Sequence, residues 1–184
     1  MGHLFVLIGA SGVGKTTLAN RAQDDGIANR VVTCTTRPPR SHEVPDVDYH
    51  FFTPEAFGKR ESQGEFVETE GIHGHRYGVL TQDLSDVLWG DRPALVSLGY
   101  GGAERVKALW PDRVTIVGVL PPTVDHLRRR LADRGTDDAE VSVRLKAVEE
   151  EAPRVLSLAD VVIVNDELSE AYHVLRQTIT RPAV

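Results

Sequence analysis

The run Gly9-Ala10-Ser11-Gly12-Val13-Gly14-Lys15-Thr16 fits the pattern G-x-x-x-x-G-K-[ST]. It follows the apolar run Leu4-Phe5-Val6-Leu7-Ile8 and leads into Thr17-Leu18-Ala19-Asn20, which can open a helix. Strand, glycine-rich loop and helix in that order make a phosphate-binding loop, or P-loop. The glycines let the backbone bend until successive N–H groups point inward at phosphate oxygens, and the helix N-terminus adds partial positive charge. Lys15 is placed to reach the β- and γ-phosphates of a nucleoside triphosphate as a point charge, and the Thr16 hydroxyl to ligate Mg2+. Gly9, Gly12, Val13, Gly14, Lys15, Thr16 and Thr17 are therefore the candidate contacts to ATP, with Thr16 the candidate metal ligand.

The 184 residues around this loop suit one domain with a core of its own. Apolar residues at 41% and charged residues at 26% are ordinary for a globular protein. A net charge of -6 argues against a surface that coats nucleic acid. The lone Cys34 rules out an internal disulfide framework and fits a reducing, cytoplasmic setting. No stretch approaches the apolar length of a membrane span, and the first apolar run is too short for a signal peptide. The expected partners are nucleotide substrates, with no nucleic acid and no membrane.

Strands buried on both faces read as continuous apolar runs. Four fit: Leu4–Ile8, Ala94–Leu98, Val114–Leu120 and Val161–Val164. Helical spacing falls over Thr16–Ala22, Ala103–Leu109 and Val124–Arg134, where Leu127 and Leu131 share a face. It recurs at Val141, Leu145 and Val148, and at Leu168, Ala171 and Leu175. Strands alternating with helices predict an α/β fold with a doubly wound parallel sheet. The segment 31–77 differs, with short alternating or aromatic runs (Tyr49–Phe52, Glu65–Glu68) between turn-forming Gly and Pro. It reads as a small, mostly antiparallel insertion with one helix starting near Pro54. Residues 1–30 and 78–184 then form the core, and the insertion overhangs the P-loop mouth, where a second substrate would sit.

The insertion opens Thr33-Cys34-Thr35-Thr36-Arg37-Pro38-Pro39-Arg40 and continues to Glu43 and Tyr49. Arg37 and Arg40, three apart beside Pro-Pro, are suited to gripping one phosphate, because guanidinium groups bind its oxygens in a fork. Tyr49 and Tyr77 can add hydroxyl donors to the same phosphate. A solvated charged loop is the alternative. Glu68 can accept two hydrogen bonds side by side, the pair that guanine offers through N1–H and its amine and adenine does not. For an isolated Glu the alternative is an exposed strand position.

The P-loop, the TTRPPR–E–DYHFF run (35–52), the GEFVE–HGHRYG run (64–78), RRRLADRGT (128–136) and VIVNDEL (162–168) occur in one order. Over nearly the whole chain that order is similar to the guanylate kinases, which move phosphate from ATP to GMP. The resemblance implies one domain of P-loop NTPase type, an insertion at 31–77 that binds the nucleoside monophosphate, and an Arg-rich helical lid near 128–145. It implies that Thr33, Glu68 and Tyr77 line the GMP site, with Glu68 on the guanine edge. Arg37, Arg40, Glu43 and Tyr49 belong to the GMP phosphate region, Arg40 as a catalytic-type arginine. Asn165 and Asp166 match residues near the adenine of ATP. Arg130, Arg134 and Arg144 match the lid arginines, while Arg128 and Arg129 read as a solvated basic face. Arg130 and Arg134 are four apart and so share a helix face, and Gly135-Thr136-Asp137-Asp138 breaks the helix to form a hinge. Closure would bring the lid arginines, with Lys15, onto the transferring phosphoryl group.

The chain departs from the family pattern in places. Guanylate kinases usually carry a D-x-D pair after the second large apolar strand, and Ser97 and Gly99 stand there instead. Val79 stands where Ser or Thr usually touches guanine, and Thr69 where an aromatic is common. Loss of carboxylates leaves the site's arginines less balanced, and Val79 removes a hydroxyl. On the intact phosphate-gripping and lid arginines the acceptor is expected to be GMP or dGMP, while these departures favour the alternative, a modified nucleotide or a phosphorylated sugar such as that of ribose 1,5-bisphosphate kinase. Glu68 and the TTRPPR block weigh against the sugar. A non-catalytic protein-binding module ranks lower, because Lys15, Thr16, Arg134 and Arg144 are all present. Trp89 and Trp110 are expected to pack beside loops and Cys34 to be a small packed residue; His73 and His75 lack convincing metal-ligand spacing.

Overall fold

The computed structural model describes residues 2–41, 43–72, 74–133 and 137–181. In chain order it contains β1 (Leu4–Ile8), α1 (Lys15–Asp24), β2 (Asn29–Arg30), β3 (Thr33–Thr35), β4 (Tyr49–Phe51), α2 (Pro54–Ser62), β5 (Phe66–Ile72) and β6 (His75–Leu80). There follow α3 (Thr81–Trp89), β7 (Ala94–Ser97), α4 (Tyr100–Leu109), β8 (Val114–Leu120), α5 (Val124–Asp133), α6 (Asp138–Leu158), β9 (Val161–Val164) and α7 (Leu168–Thr180).

Among these residues a five-stranded parallel sheet has the order β2-β7-β1-β8-β9. The chain leaves central β1 toward one edge, returns through β7, then crosses β1 to β8 and β9. A crevice opens at the carboxyl ends of strands where the order reverses in this way, and the P-loop leaves β1 at that end. All five β1 residues are buried, because helices cover both faces. Phe5 and Leu7 join one apolar cluster with Leu18, Leu127, Leu131 and Leu175, whereas Leu4, Val6 and Ile8 join the other with Leu84, Val106 and Val155. That alternation is the two-residue period of a strand, and it explains why the run is apolar throughout.

The second sheet has the order β4-β3-β6-β5. The β3–β6 and β5–β6 pairs are antiparallel, whereas β3 and β4 run parallel. Its helix α2 begins where sequence chemistry puts it: the Thr53 hydroxyl accepts from the Ala56 N–H at 3.2 Å, and Pro54 follows at the first position. Phe57 of α2 stacks on Phe66 of β5 at 4.5 Å between ring centroids.

Several elements differ from the sequence expectation. Helix α6 runs on to Leu158 through Pro153, held by the buried Val148 and Val155 on either side of it. Helix α3 is an addition to the expected helices, with Leu84, Val87 and Leu88 on its packed face, and β2 is two polar residues that exist as a strand only through pairing with β7. Trp89 is not packed: it is 70% exposed at the end of α3, with the Arg113 guanidinium 5.8 Å from its ring centre. Trp110 is partly buried against the second cluster, as expected.

Candidate functional site

Gly14 starts α1 with φ 105, a left-handed conformation that side chains disfavour. A Cβ there would also overlap the Asn165 side chain. Gly12, at φ 89, lies under the Leu131 side chain of α5, 3.2 Å from where its Cβ would stand. The loop is thus clasped between β9 and α5. Asn165, buried just past β9, donates from Nδ2 to the Val13 carbonyl at 2.7 Å, and its Oδ1 has no partner among the described residues. Neighbouring Asp166 instead meets His126 of α5 at 3.1 Å. Gly14 offers no side-chain cap, so the first N–H groups of α1 are available to an anion.

Lys15 donates from Nζ to the carbonyls of Gly9 at 2.5 Å and Ala10 at 2.9 Å. Burial lowers its ammonium pKa to about 8, partly opposed by the negative charges of Glu151 and Glu70. Thr16 and Thr17 follow on the same helical turn and face the same cleft.

Across from the loop stands a basic and aromatic wall built from the second sheet. The Thr35 hydroxyl accepts from the Arg37 N–H at 3.1 Å and donates to the Arg76 carbonyl, which fixes the turn leaving β3. The Arg37 guanidinium then donates to Glu43 Oε1 at 2.7 Å and lies 5.5 Å from the Tyr49 ring centre. Its hydrogen bond to Glu43 chiefly drives its pKa above the ordinary value, with Tyr77 adding to it. Glu43 Oε2 also accepts from the Arg40 backbone N–H at 2.7 Å. Arg40 itself keeps a side chain 62% exposed, paired with Glu43 Oε1 at 3.7 Å. The Tyr49 and Tyr77 rings meet edge to face at 6.2 Å.

Deeper in, Glu68 of β5 accepts from the Gly99 N–H, but desolvation and then the adjacent Glu70 charge push its carboxyl up to about 7. Val79 of β6 is 1% exposed and belongs to the core while showing an edge to the cleft. Thr69 points away and donates to Glu61 Oε1 at 2.7 Å. Cys34 is fully buried, with its thiol pushed up to about 12 mainly by burial, so it is inert packing.

These two walls enclose one cleft of about 660 Å³. Of the sequence candidates, it is lined by Gly9, Gly12, Gly14, Lys15, Thr16 and Thr17 on one side, and by Thr33, Arg37, Arg40, Tyr49, Glu68, Tyr77 and Val79 on the other. Val13, Glu43, Asn165 and Asp166 do not line it; Val13 sits in the core, Glu43 braces Arg37, and Asn165 braces the loop. Arg134 and the side chains of Arg130 and Arg144 lie outside the described residues, although α5 and α6 carry those two positions. Glu70, Tyr100 and Glu151 also line the cleft, and sequence reasoning does not single them out. Tyr100 donates to Glu151 Oε2 at 2.6 Å. Strand alternation from Glu68 is the signal that finds Glu70. Among the described residues no group of three or more His, Cys, Asp or Glu is arranged to hold a metal, and no helix is long and apolar enough to cross a membrane.

Comparison with known proteins agrees with this architecture. The family model described as guanylate kinase matches residues 1–181. The chain is 42% identical over 174 residues to a guanylate kinase of Anaeromyxobacter dehalogenans, covering 92% of this chain and 76% of the relative. It is 38% identical over 182 residues to one from Salinibacter ruber, covering 97% and 94%. Among solved structures, guanylate kinase from Anaplasma phagocytophilum superposes with a TM-score of 0.79 at 28% identity, covering 97% of this chain and 84% of that one. Shikimate kinase from Bacteroides thetaiotaomicron, at 16% identity, a TM-score of 0.55 and coverage of 97% and 99%, shares the fold. A P-loop facing an arginine–tyrosine wall across one cleft, a family model spanning the chain and these relatives together establish that the chain belongs to the guanylate kinase family.

Proposed function

We propose that this chain transfers the γ-phosphoryl group of ATP to GMP or dGMP, giving ADP and GDP or dGDP. The observation that carries the reading is that one cleft holds both halves of the chemistry: the P-loop with Lys15, and a wall of Arg37, Arg40, Tyr49 and Tyr77 with Glu68 at its base. The P-loop N–H groups and Lys15 hold the donor phosphates. Arg37 and Arg40 hold the acceptor phosphate, Arg37 pre-set by its 2.7 Å hydrogen bond to Glu43, and Arg40, exposed and more loosely paired with Glu43 at 3.7 Å, able to move with the transferring group. Glu68, when ionised, pairs with the guanine edge. Attack by an acceptor phosphate oxygen needs neither a covalent intermediate nor a strong base, so positioning and charge do most of the work. The Thr16 hydroxyl lines the donor side of the cleft, and together with phosphate oxygens and water it would hold Mg2+, which supplies neutralisation of phosphate charge. Arg130, Arg134 and Arg144 complete the reading as lid arginines.

A modified guanine nucleotide is the second reading, favoured by the apolar Val79 edge in the acceptor half of the cleft. Nucleotides as the partners and the cytoplasm as the setting fit the net charge of -6 and the single, buried Cys34.

The test is ADP release from Mg-ATP with GMP, dGMP, AMP, CMP and UMP offered in parallel. Turnover with guanine nucleotides at least about 100-fold above the others is expected, because an unpaired buried acceptor rejects the wrong base. Mg-ATP binding without turnover of any of them would overturn the reading and leave a non-catalytic module.

A further inference from the structure

Glu70 stands two residues beyond Glu68 on β5, on the same strand face, and both carboxylates reach the glycines that begin α4. A Cβ at Gly102 would overlap the Glu68 carboxylate, and one at Gly99 would lie 2.6 Å from the carboxyl carbon of Glu70. Gly99 has φ -69 and ψ 172, an extended conformation open to any residue. Its backbone therefore does not require glycine; the Glu70 carboxylate does. Glu70 lines the same cleft as Lys15 and Glu68.

We propose that Glu70 is a positioning residue for phosphoryl transfer, its carboxylate seated in the space that Gly99 leaves open and linking the acceptor wall of the cleft to the P-loop. This rests on the kinase reading above and adds a residue to it. The groups facing Glu70 are Lys15 from α1, Glu68 on its own strand, and Glu151 and Arg154 from α6, while Arg105 of α4 faces Glu68. Tyr100 fixes Glu151 through its hydroxyl. The Glu70 charge acts on both functional neighbours in one direction: it holds the proton on Lys15 and opposes ionisation of Glu68.

Two signatures follow, and steady-state kinetics of the full chain reads both. The first is geometric. Gly99→Ala displaces the Glu70 carboxylate and lowers kcat/KM for GMP by about tenfold, as Glu70→Ala does, yet adds nothing in the Glu70→Ala background. Gly99→Asp in that background returns a carboxylate to the same space and recovers part of the loss. The second is electrostatic. Glu70→Gln keeps the shape and removes the charge. Without the like charge Glu68 ionises more easily, so the acid limb of the pH profile of kcat/KM moves to lower pH by about half a unit or more. Thermal melting of each variant confirms that it is folded. A Glu70→Gln profile that coincides with wild type, or a Gly99→Ala loss as large without Glu70 as with it, overturns the proposal. If the wild type turns over no nucleotide, the kinase reading fails. The acid limb of GMP affinity then decides the Glu70 assignment, supporting it if that limb shifts in Glu70→Gln and ending it if the limb stays.

Discussion

Gly14 and Gly58 are both glycines at or within a helix, yet they answer to different physics. Gly14 sits at φ 105 and a Cβ on it would overlap Asn165, so the loop can bend and be braced from β9 only without a side chain. Gly58, inside α2, has an ordinary φ and nothing within 4 Å of where a Cβ would go. Gly58→Ala is thus expected to stabilise the chain by about 0.5–1 kcal/mol through lost freedom in the unfolded state, with kinetics unchanged. Gly14→Ala is expected to weaken Mg-ATP binding at least about tenfold, since Asn165, Val13 and the first N–H groups of α1 move together. Thermal melts and nucleotide titrations of the two variants check this; equal behaviour would mean that the loop is not held from behind. Both glycines are visible in the sequence, but only Gly14 stands in a motif that states its reason. The pairing of Glu70 with Gly99 is not visible there, because the two stand 29 positions apart with β6, α3 and β7 between them.

At the scale of elements, legibility follows burial. β1, β7 and β8 pack within the sheet, and their apolar runs mark them to within a residue; β9, half exposed at the edge, is marked by an apolar run all the same. Strand β2 could not be read, because Asn29 and Arg30 carry no pattern and take strand form from β7. The extent of α6 was hidden by Pro153: a proline lacks the N–H that a helix interior uses, so local rules end the helix there, whereas Val148 and Val155 packing carries it through. The amphipathic face of α5 was legible, and the structure gives it a further duty. Leu127 and Leu131 are fully buried, and Leu131 lies directly on Gly12. Leu131→Ala leaves a cavity against the P-loop, costing about 2–5 kcal/mol. For a chain of this size a 3 kcal/mol loss lowers Tm by roughly 6–12 °C. It should also raise KM for ATP more than KM for GMP, because the loosened wall is the donor wall. A melt together with both KM values tests the coupling, and a Tm loss with both KM values unchanged would reduce α5 to packing.

Across the whole molecule, the cleft that joins the two sheets is where the fold gives up stability for chemistry. Glu68 ionises at about 7 in the folded chain against an ordinary 4.5, so its contribution is present below about 4.5 and lost as pH rises through 7. Lys15 has a folded value of about 8 against 10.5, so its contribution is present above about 10.5 and lost as pH falls through 8. The two losses overlap between pH 7 and 8, and the unliganded chain should show a stability trough there. His3, whose pKa is lowered mainly by burial, adds stability with rising pH near 6.5 and blunts the acid side. The informative quantity is therefore a difference between variants. Glu68→Gln should gain Tm relative to wild type at pH 7.5 and lose that gain by pH 4.5, whereas Lys15→Met should gain at pH 7.5 and lose the gain above pH 10.5. Nucleotide fills the trough: bound phosphate adds negative charge beside buried Lys15, where Glu151 and Glu70 only partly oppose burial, and a guanine edge adds donors to ionised Glu68 beyond the Gly99 N–H. A ligand at 100 times its Kd adds about 2.7 kcal/mol, and a protonation cost relieved by binding makes that gain larger at pH 7.5 than at pH 6. Melting curves for the wild type and both variants from pH 4.5 to 10.5, with and without GMP and Mg-ATP, measure the trough directly. Variants that track the wild type at every pH would show that the cleft carries no such cost, and that Glu68 and Lys15 are held as comfortably as exposed charges.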